Sequence, residues 1–172
     1  MAIHHINGHQ INGRNADRFD VVVFDADDTL WRSEDYFALA EQYYAEQVEP
    51  YAPEGADVLA DLHRIEVGNV PVSGYGVKPY ALSMVEAAVY STGGSIPGRV
   101  IGELVEYAYE MLCHPVELLD GVEDALGEVA ASHRLALITK GDLLHQMRKL
   151  RASGLQPLFG RVRVVEEKDT TT

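Results

Sequence analysis

Three short β-forming runs, and the places where they fall, constrain this chain more than any other feature: VVVF at 21–24, LALIT at 135–139 and RVRVV at 161–165. The first two are continuously apolar, the pattern of strands in a parallel sheet covered on both faces. A helical pattern sits before and after the second run. Val122, Ala125, Leu126, Val129 and Ala130 share one face behind an Asp120–Glu123 capping box, and Leu143, Leu144, Met147 and Leu150 form an apolar set that stops at Gly154. Strands alternating with helices predict an α/β fold with a parallel, Rossmann-like sheet.

Between the first and second runs the period is helical throughout. Ser33 is placed to cap a helix through YFALAEQYYAEQV, which the prolines at 50 and 53 interrupt. Val58, Leu59, Leu62 and Ile65 carry the next stripe, GNVPVSGYG reads as a loop, a third helix is predicted over 79–90, and Val100 to Leu112 keep helical spacing for three turns. The predicted organisation is therefore a tail at 1–17, an α/β core at 18–32 and 116–172, and an inserted all-helical unit at 33–115. The tail holds two Ile-Asn-Gly turns and His4, His5 and His9, and we assign it no chemistry.

The first strand runs directly into Asp25, Asp27 and Asp28. Burying one carboxylate without a partner is costly, so gathering three calls for a reason. Positions i and i+2 of an extended chain face the same way, which turns Asp25 and Asp27 together where the strand ends. Such a pair suits a metal, a phosphate, or acid and base work.

The net charge matters here. Against 14 basic residues stand 27 acidic ones, a formal charge of -13, which argues against nucleic acid and anionic membrane as partners. An anionic substrate then needs local cations. No apolar run approaches the roughly 20 residues that span a bilayer, and the single cysteine, Cys113, fits a reducing, cytoplasmic setting.

Ligands of open parallel sheets sit beyond the carboxyl ends of the strands. There this chain offers Asp25 and Asp27, then Thr139 with Lys140 and Gly141, then Lys168. Two carboxylates, a hydroxyl beside a helix N-terminus and an ammonium make a phosphate-transfer site.

With those residues in that order, the chain resembles the haloacid dehalogenase superfamily, whose first motif Asp-x-Asp-x-Thr stands here as Asp25-Ala26-Asp27-Asp28-Thr29. The resemblance covers about 18–172 and implies a phosphatase with a helical C1-type cap. It implies that Asp25 is a nucleophile forming an aspartyl-phosphate, and that Asp27 is the general acid and then the base. It further implies that Asp25 and the main-chain carbonyl of Asp27 hold Mg2+, that Thr139, Lys140 and Gly141 receive the phosphate, and that Lys168 neutralises charge. Dehalogenases proper resemble one another in a tyrosine at position 27, so Asp27 favours phosphate chemistry.

The expectation is a Mg2+-dependent phosphatase of a small phosphorylated metabolite. Its alternatives are a phosphotransferase or sugar-phosphate mutase of the same superfamily, or a phosphate-binding regulatory module without turnover. The superfamily's fourth motif, an acidic pair on a further strand, has no counterpart after Lys168, so the C-terminal part of the core is expected to be missing. A three-stranded sheet leaves the first strand as an apolar edge, which invites pairing with a second copy as a homo-oligomer.

Overall fold

The computed structural model describes residues 19–168. The predicted tail with His4, His5 and His9, and the chain after Lys168, lie outside the described residues. In chain order the elements are β1 (Val21–Phe24), α1 (Glu34–Val48), α2 (Val58–Ser73), α3 (Val77–Ser91), α4 (Gly98–Cys113), α5 (Val122–Ala130), β2 (Arg134–Lys140), α6 (Leu143–Ala152) and β3 (Phe159–Val165). The strands form one parallel sheet in the order β1-β2-β3, with Val23 beside Ala136 and Leu137 beside Val162. The fold class read from the sequence is the one observed: an α/β fold built on a Rossmann-like parallel sheet.

Two separate apolar clusters form. Ala26, Leu30, Trp31, Leu126, Leu137 and Leu150 pack the sheet against α5 and α6, while Tyr44, Leu62, Tyr80, Met84, Leu104 and Ala108 fill the space among α1–α4. Each large side chain buried in this way contributes roughly 1.5–3 kcal/mol of transfer free energy. The four-helix cluster has the wider choice of partners, because every one of its helices presents a stripe to the others. No described helix is long and apolar enough to cross a membrane.

Among the described residues β1 is the apolar edge strand that the sequence leads one to expect, with Val21 open to solvent and only Phe24 fully buried along it. Local details depart from the sequence expectations in three places. The predicted loop over 68–76 is mostly helix: α2 continues through Pro71 and stops at Gly74, whose N–H donates to Val70 O at 2.9 Å and whose φ is +74°. Proline near the end of a helix forfeits only one backbone bond, so the last turn survives it. α5 is capped at Gly121, in a left-handed conformation, with no side-chain bond from Asp120. In α6 the predicted apolar face is turned: Leu143 and Leu144 are exposed, whereas Gln146 and Leu150 are buried.

Candidate active site

β1 delivers the chain into a tight turn in which Leu30 N–H donates to Ala26 O at 2.8 Å. Asp28 takes a left-handed φ of +54°, a conformation that aspartate tolerates better than most side chains. Its carboxylate explains the position. Asp28 Oδ1 accepts from the N–H groups of Ser33 (2.9 Å) and Glu34 (3.0 Å), so Asp28 caps α1 and Ser33 makes no capping bond. Ser33, the local candidate from the sequence, is not the residue that caps the helix. A carboxylate brought back by a turn competes better for the free N–H groups at the start of a helix.

Asp25 Oδ1 accepts from Ala26 N–H at 2.8 Å and from Lys168 Nζ at 2.6 Å. Lys168 follows β3, and β2 lies between β3 and β1, so the segment after β3 crosses the carboxyl end of β2 to reach Asp25.

Asp27 has different partners. Trp31 Nε1 donates to Oδ1 at 2.7 Å, Lys149 Nζ reaches Oδ1 at 2.5 Å, and Gln146 Nε2 donates to Oδ2 at 2.7 Å. The Trp31 ring is buried in the core, and its indole N–H has this second task. The Gln146 amide also lies 2.8 Å from both Thr139 Oγ1 and Lys140 O, tying the end of β2 to the turn after β1. Gln146 Oε1 is buried with no hydrogen-bond partner among the described residues.

Thr139 is buried at the end of β2, one residue before the turn into α6. Lys140 pairs with Glu167 and lies 4.7 Å from the Tyr75 ring centre. That hydrogen bond raises the Lys140 pKa and holds the Glu167 carboxyl below its ordinary value. Gly141 has φ +117° and donates to Val165 O at 3.3 Å; a Cβ there would lie 3.6 Å from Gln146 Cγ and in a strained conformation. Asp142 caps α6 by accepting from His145 N–H at 2.8 Å and takes Lys78 of α3 at 2.9 Å. Burial, reinforced by the Lys149 charge, pushes the His145 imidazole down to about 4.

Asp27, Asp28, Lys140, Gly141, Asp142 and His145 border a cavity of about 460 Å³, and Asp25, Thr139 and Lys168 are not among its lining residues. Asp27, Trp31, Lys140, Gln146 and Lys149 form its floor, and Tyr36, Phe37, Glu41, Glu66 and Tyr80 of α1–α3 form the opposite wall. A carboxylate held by an ammonium at one strand end, a second carboxylate oriented by three donors, and a hydroxyl within the same network can together support nucleophilic attack with proton transfer. As oxygen ligands, the Asp25 carboxylate and the Asp27 carbonyl suit a hard cation that keeps several waters. No group of three or more acidic, histidine or cysteine side chains able to hold a metal occurs among the described residues.

Of the residues singled out from the sequence, Asp25 and Lys168 meet directly, and Asp27 and Thr139 meet through Gln146. Gln146 and Lys149 themselves were missed. Their signal was their spacing: i and i+3 on one face of α6, polar residues where the apolar stripe was expected.

A model of the family described as haloacid dehalogenase-like hydrolase matches residues 19–170. Among solved structures, a haloacid dehalogenase-like family hydrolase from Xanthomonas campestris superposes with a TM-score of 0.83 at 42% identity, over 92% of this chain and 66% of that one. The HAD-hydrolase YfnB from Bacillus subtilis, bound to magnesium, superposes at 0.54 with 22% identity, over 86% of this chain and 66% of that one. A predicted phosphoglycolate phosphatase from Haemophilus somnus 129pt gives 0.54 at 19% identity, over 90% and 67%. At those two lower identities the likeness speaks for the fold alone. The chain thus spans about two thirds of the length of these proteins. No curated protein sequence matches it.

Proposed function

The chain belongs to the haloacid dehalogenase-like hydrolases, and from that premise we propose that it is a Mg2+-dependent, cytoplasmic phosphatase of a small phosphorylated metabolite. The observation that carries the reading is the contact of Lys168 Nζ with Asp25 Oδ1 at 2.6 Å, at the carboxyl end of the sheet. An ammonium there offsets the repulsion between an attacking carboxylate and a phosphate dianion.

Asp25 attacks phosphorus through a carboxylate oxygen, the ester P–O bond breaks, and the leaving oxygen takes a proton from Asp27, which enters the step as the acid. Asp27 then accepts a proton from water, whose oxygen attacks the aspartyl-phosphate and releases inorganic phosphate and free Asp25. Trp31, Gln146 and Lys149 keep the Asp27 side chain in place through both half-reactions. Thr139 and Lys140 receive phosphate oxygens beside Gly141, whose lack of a Cβ leaves the backbone open to them, and Lys168 balances their charge.

The hard oxygen donors at Asp25 and at the Asp27 carbonyl fit Mg2+, whose remaining positions are commonly filled by water and phosphate. Bound there, the ion would supply charge neutralisation at the phosphate. Residues 33–115 act as a cap that excludes water and selects the leaving group, over a core formed by 18–32 and 116–172. The two-cluster packing supports that division.

The test is phosphate release from p-nitrophenyl phosphate, with and without Mg2+, together with acid-quench trapping of phosphate on the protein. Release that requires Mg2+, and label that disappears in Asp25→Asn, is the expected result. Release that ignores Mg2+, or label that persists without Asp25, rejects the reading.

A further inference from the structure

The helical wall of the cavity differs in chemistry from its floor. Phe37 and Glu41, four apart on α1, share a face; the Phe37 ring meets Tyr80 edge-on with centroids 5.2 Å apart, and Glu66 reaches the same wall from α2. Tyr80 is only 3% exposed, and its hydroxyl has no hydrogen-bond partner among the described residues. A buried hydroxyl without a partner costs roughly 1–3 kcal/mol, so one at a cavity wall points to a ligand that supplies the partner. Burial first, then the charges of Glu41 and Glu66, raise the Tyr80 pKa, which puts these groups close together. Burial also raises the Glu66 carboxyl; His63 works against it, while Glu41 and Glu34 add to it.

The lysines bordering the cavity already have carboxylate partners: Lys149 has Asp27, and Lys140 has Glu167. Arg32 is taken up by Asp35, and the His114 ring lies tilted against Tyr36 with centroids 4.1 Å apart. Glu41 and Glu66 have no salt bridge and no side-chain hydrogen bond among the described residues. Two carboxylates without a salt bridge beside aromatic rings, with a hydroxyl able to accept an N–H, match an organic ammonium. A neutral polyol would satisfy the hydroxyl but bring no cation to the carboxylates.

We propose that this wall, formed by Phe37, Glu41, Glu66 and Tyr80, recognises a protonated amine on the leaving group, so that the substrate is the phosphate monoester of an amino alcohol. The inference rests on reading the floor of the cavity as the phosphate site. A phosphate monoester with a two- or three-carbon spacer fits within a cavity of about 460 Å³.

The experiment measures binding of O-phosphoethanolamine and of propyl phosphate, its near-isostere with a methyl in place of the ammonium, to the full chain carrying Asp25→Asn, so that no turnover intervenes. The amine ester is expected to bind at least roughly tenfold tighter. Adding Glu41→Gln and Glu66→Gln should bring the ratio toward one, and Tyr80→Phe should narrow it. Equal affinities, tighter propyl phosphate, a ratio unmoved by these substitutions, or tighter glucose 6-phosphate would overturn the proposal. Phosphate release by the unsubstituted chain is read separately. Selective binding without release counts against the hydrolase reading and for this inference, whereas equal turnover of both esters does the reverse.

Discussion

Lys149 Nζ stands 2.5 Å from Asp27 Oδ1, with its side chain 14% exposed and within 5.7 Å of the Trp31 ring centre. The pair joins α6 to the turn after β1 and is one of three restraints on the carboxylate proposed to move protons. Lys149→Met keeps the length and removes the charge. Turnover of p-nitrophenyl phosphate is expected to fall by about 10- to 100-fold, with KM moved much less, because a proton-transfer group held loosely is misplaced in the transition state. Stability should fall by about 1–3 kcal/mol, between the cost of breaking an exposed pair and a buried one. Unchanged turnover would show that Trp31 and Gln146 suffice to hold Asp27.

Asp28 separates capping from metal binding. Its carboxylate accepts from Ser33 and Glu34 N–H groups at the start of α1. Asp28→Ala should cost about 1 kcal/mol in urea unfolding through the lost cap, plus the strain of alanine at φ +54°. Asp28→Asn, which still accepts and still tolerates that φ, should cost less. The Mg2+ concentration for half-maximal activity is expected to stay the same in both. A rise of tenfold or more in either would make Asp28 a metal ligand.

His145 gives the fold a pH dependence. Its imidazole is held at about 4 by burial and the Lys149 charge, below the ordinary 6.5 it regains on unfolding. A lowered folded pKa means the unfolded state binds the proton more readily. The stabilisation from keeping His145 neutral is therefore complete above about pH 6.5 and is lost as pH falls toward 4. Urea midpoints measured from pH 7 to pH 4.5 should decline more steeply for the natural chain than for His145→Gln. Parallel declines would remove His145 from the account.

Much of this architecture was legible because it rests on pattern. The runs at 21–24 and 135–139 became strands, the segment at 33–115 folded as helices, and the order Asp25, Asp27, Thr139, Lys168 followed the strand ends. What escaped was settled by tertiary geometry. Leu143 and Leu144 made α6 look apolar on the wrong side, because one-dimensional periodicity cannot weigh a buried Gln146 that finds three acceptors at once. Ser33 looked like the cap of α1 because the competing carboxylate lies five residues back, across a turn that only the fold closes. The edge position of β1, by contrast, was legible from the count of three strands, and the structure places it at the end of the strand order.

Asp25 carries the sharpest prediction, because its chemical and structural roles can be read apart. Asp25→Asn removes the nucleophile and nearly preserves shape. The pair it breaks with Lys168 is partly solvent-exposed on both sides, at 38% and 28%, so its loss should change stability by no more than about 1 kcal/mol. The asparagine can still accept from Ala26 N–H through its amide oxygen, so the turn after β1 should hold. Turnover, in contrast, should fall by at least about a thousandfold, since without the carboxylate no acyl-phosphate forms. Thermal unfolding and phosphate release measured on one preparation decide between the roles. Activity within about tenfold of the natural chain, with an unchanged melting temperature, would eliminate covalent catalysis at Asp25 and leave Lys168 holding a carboxylate that only shapes the electrostatic field of the site.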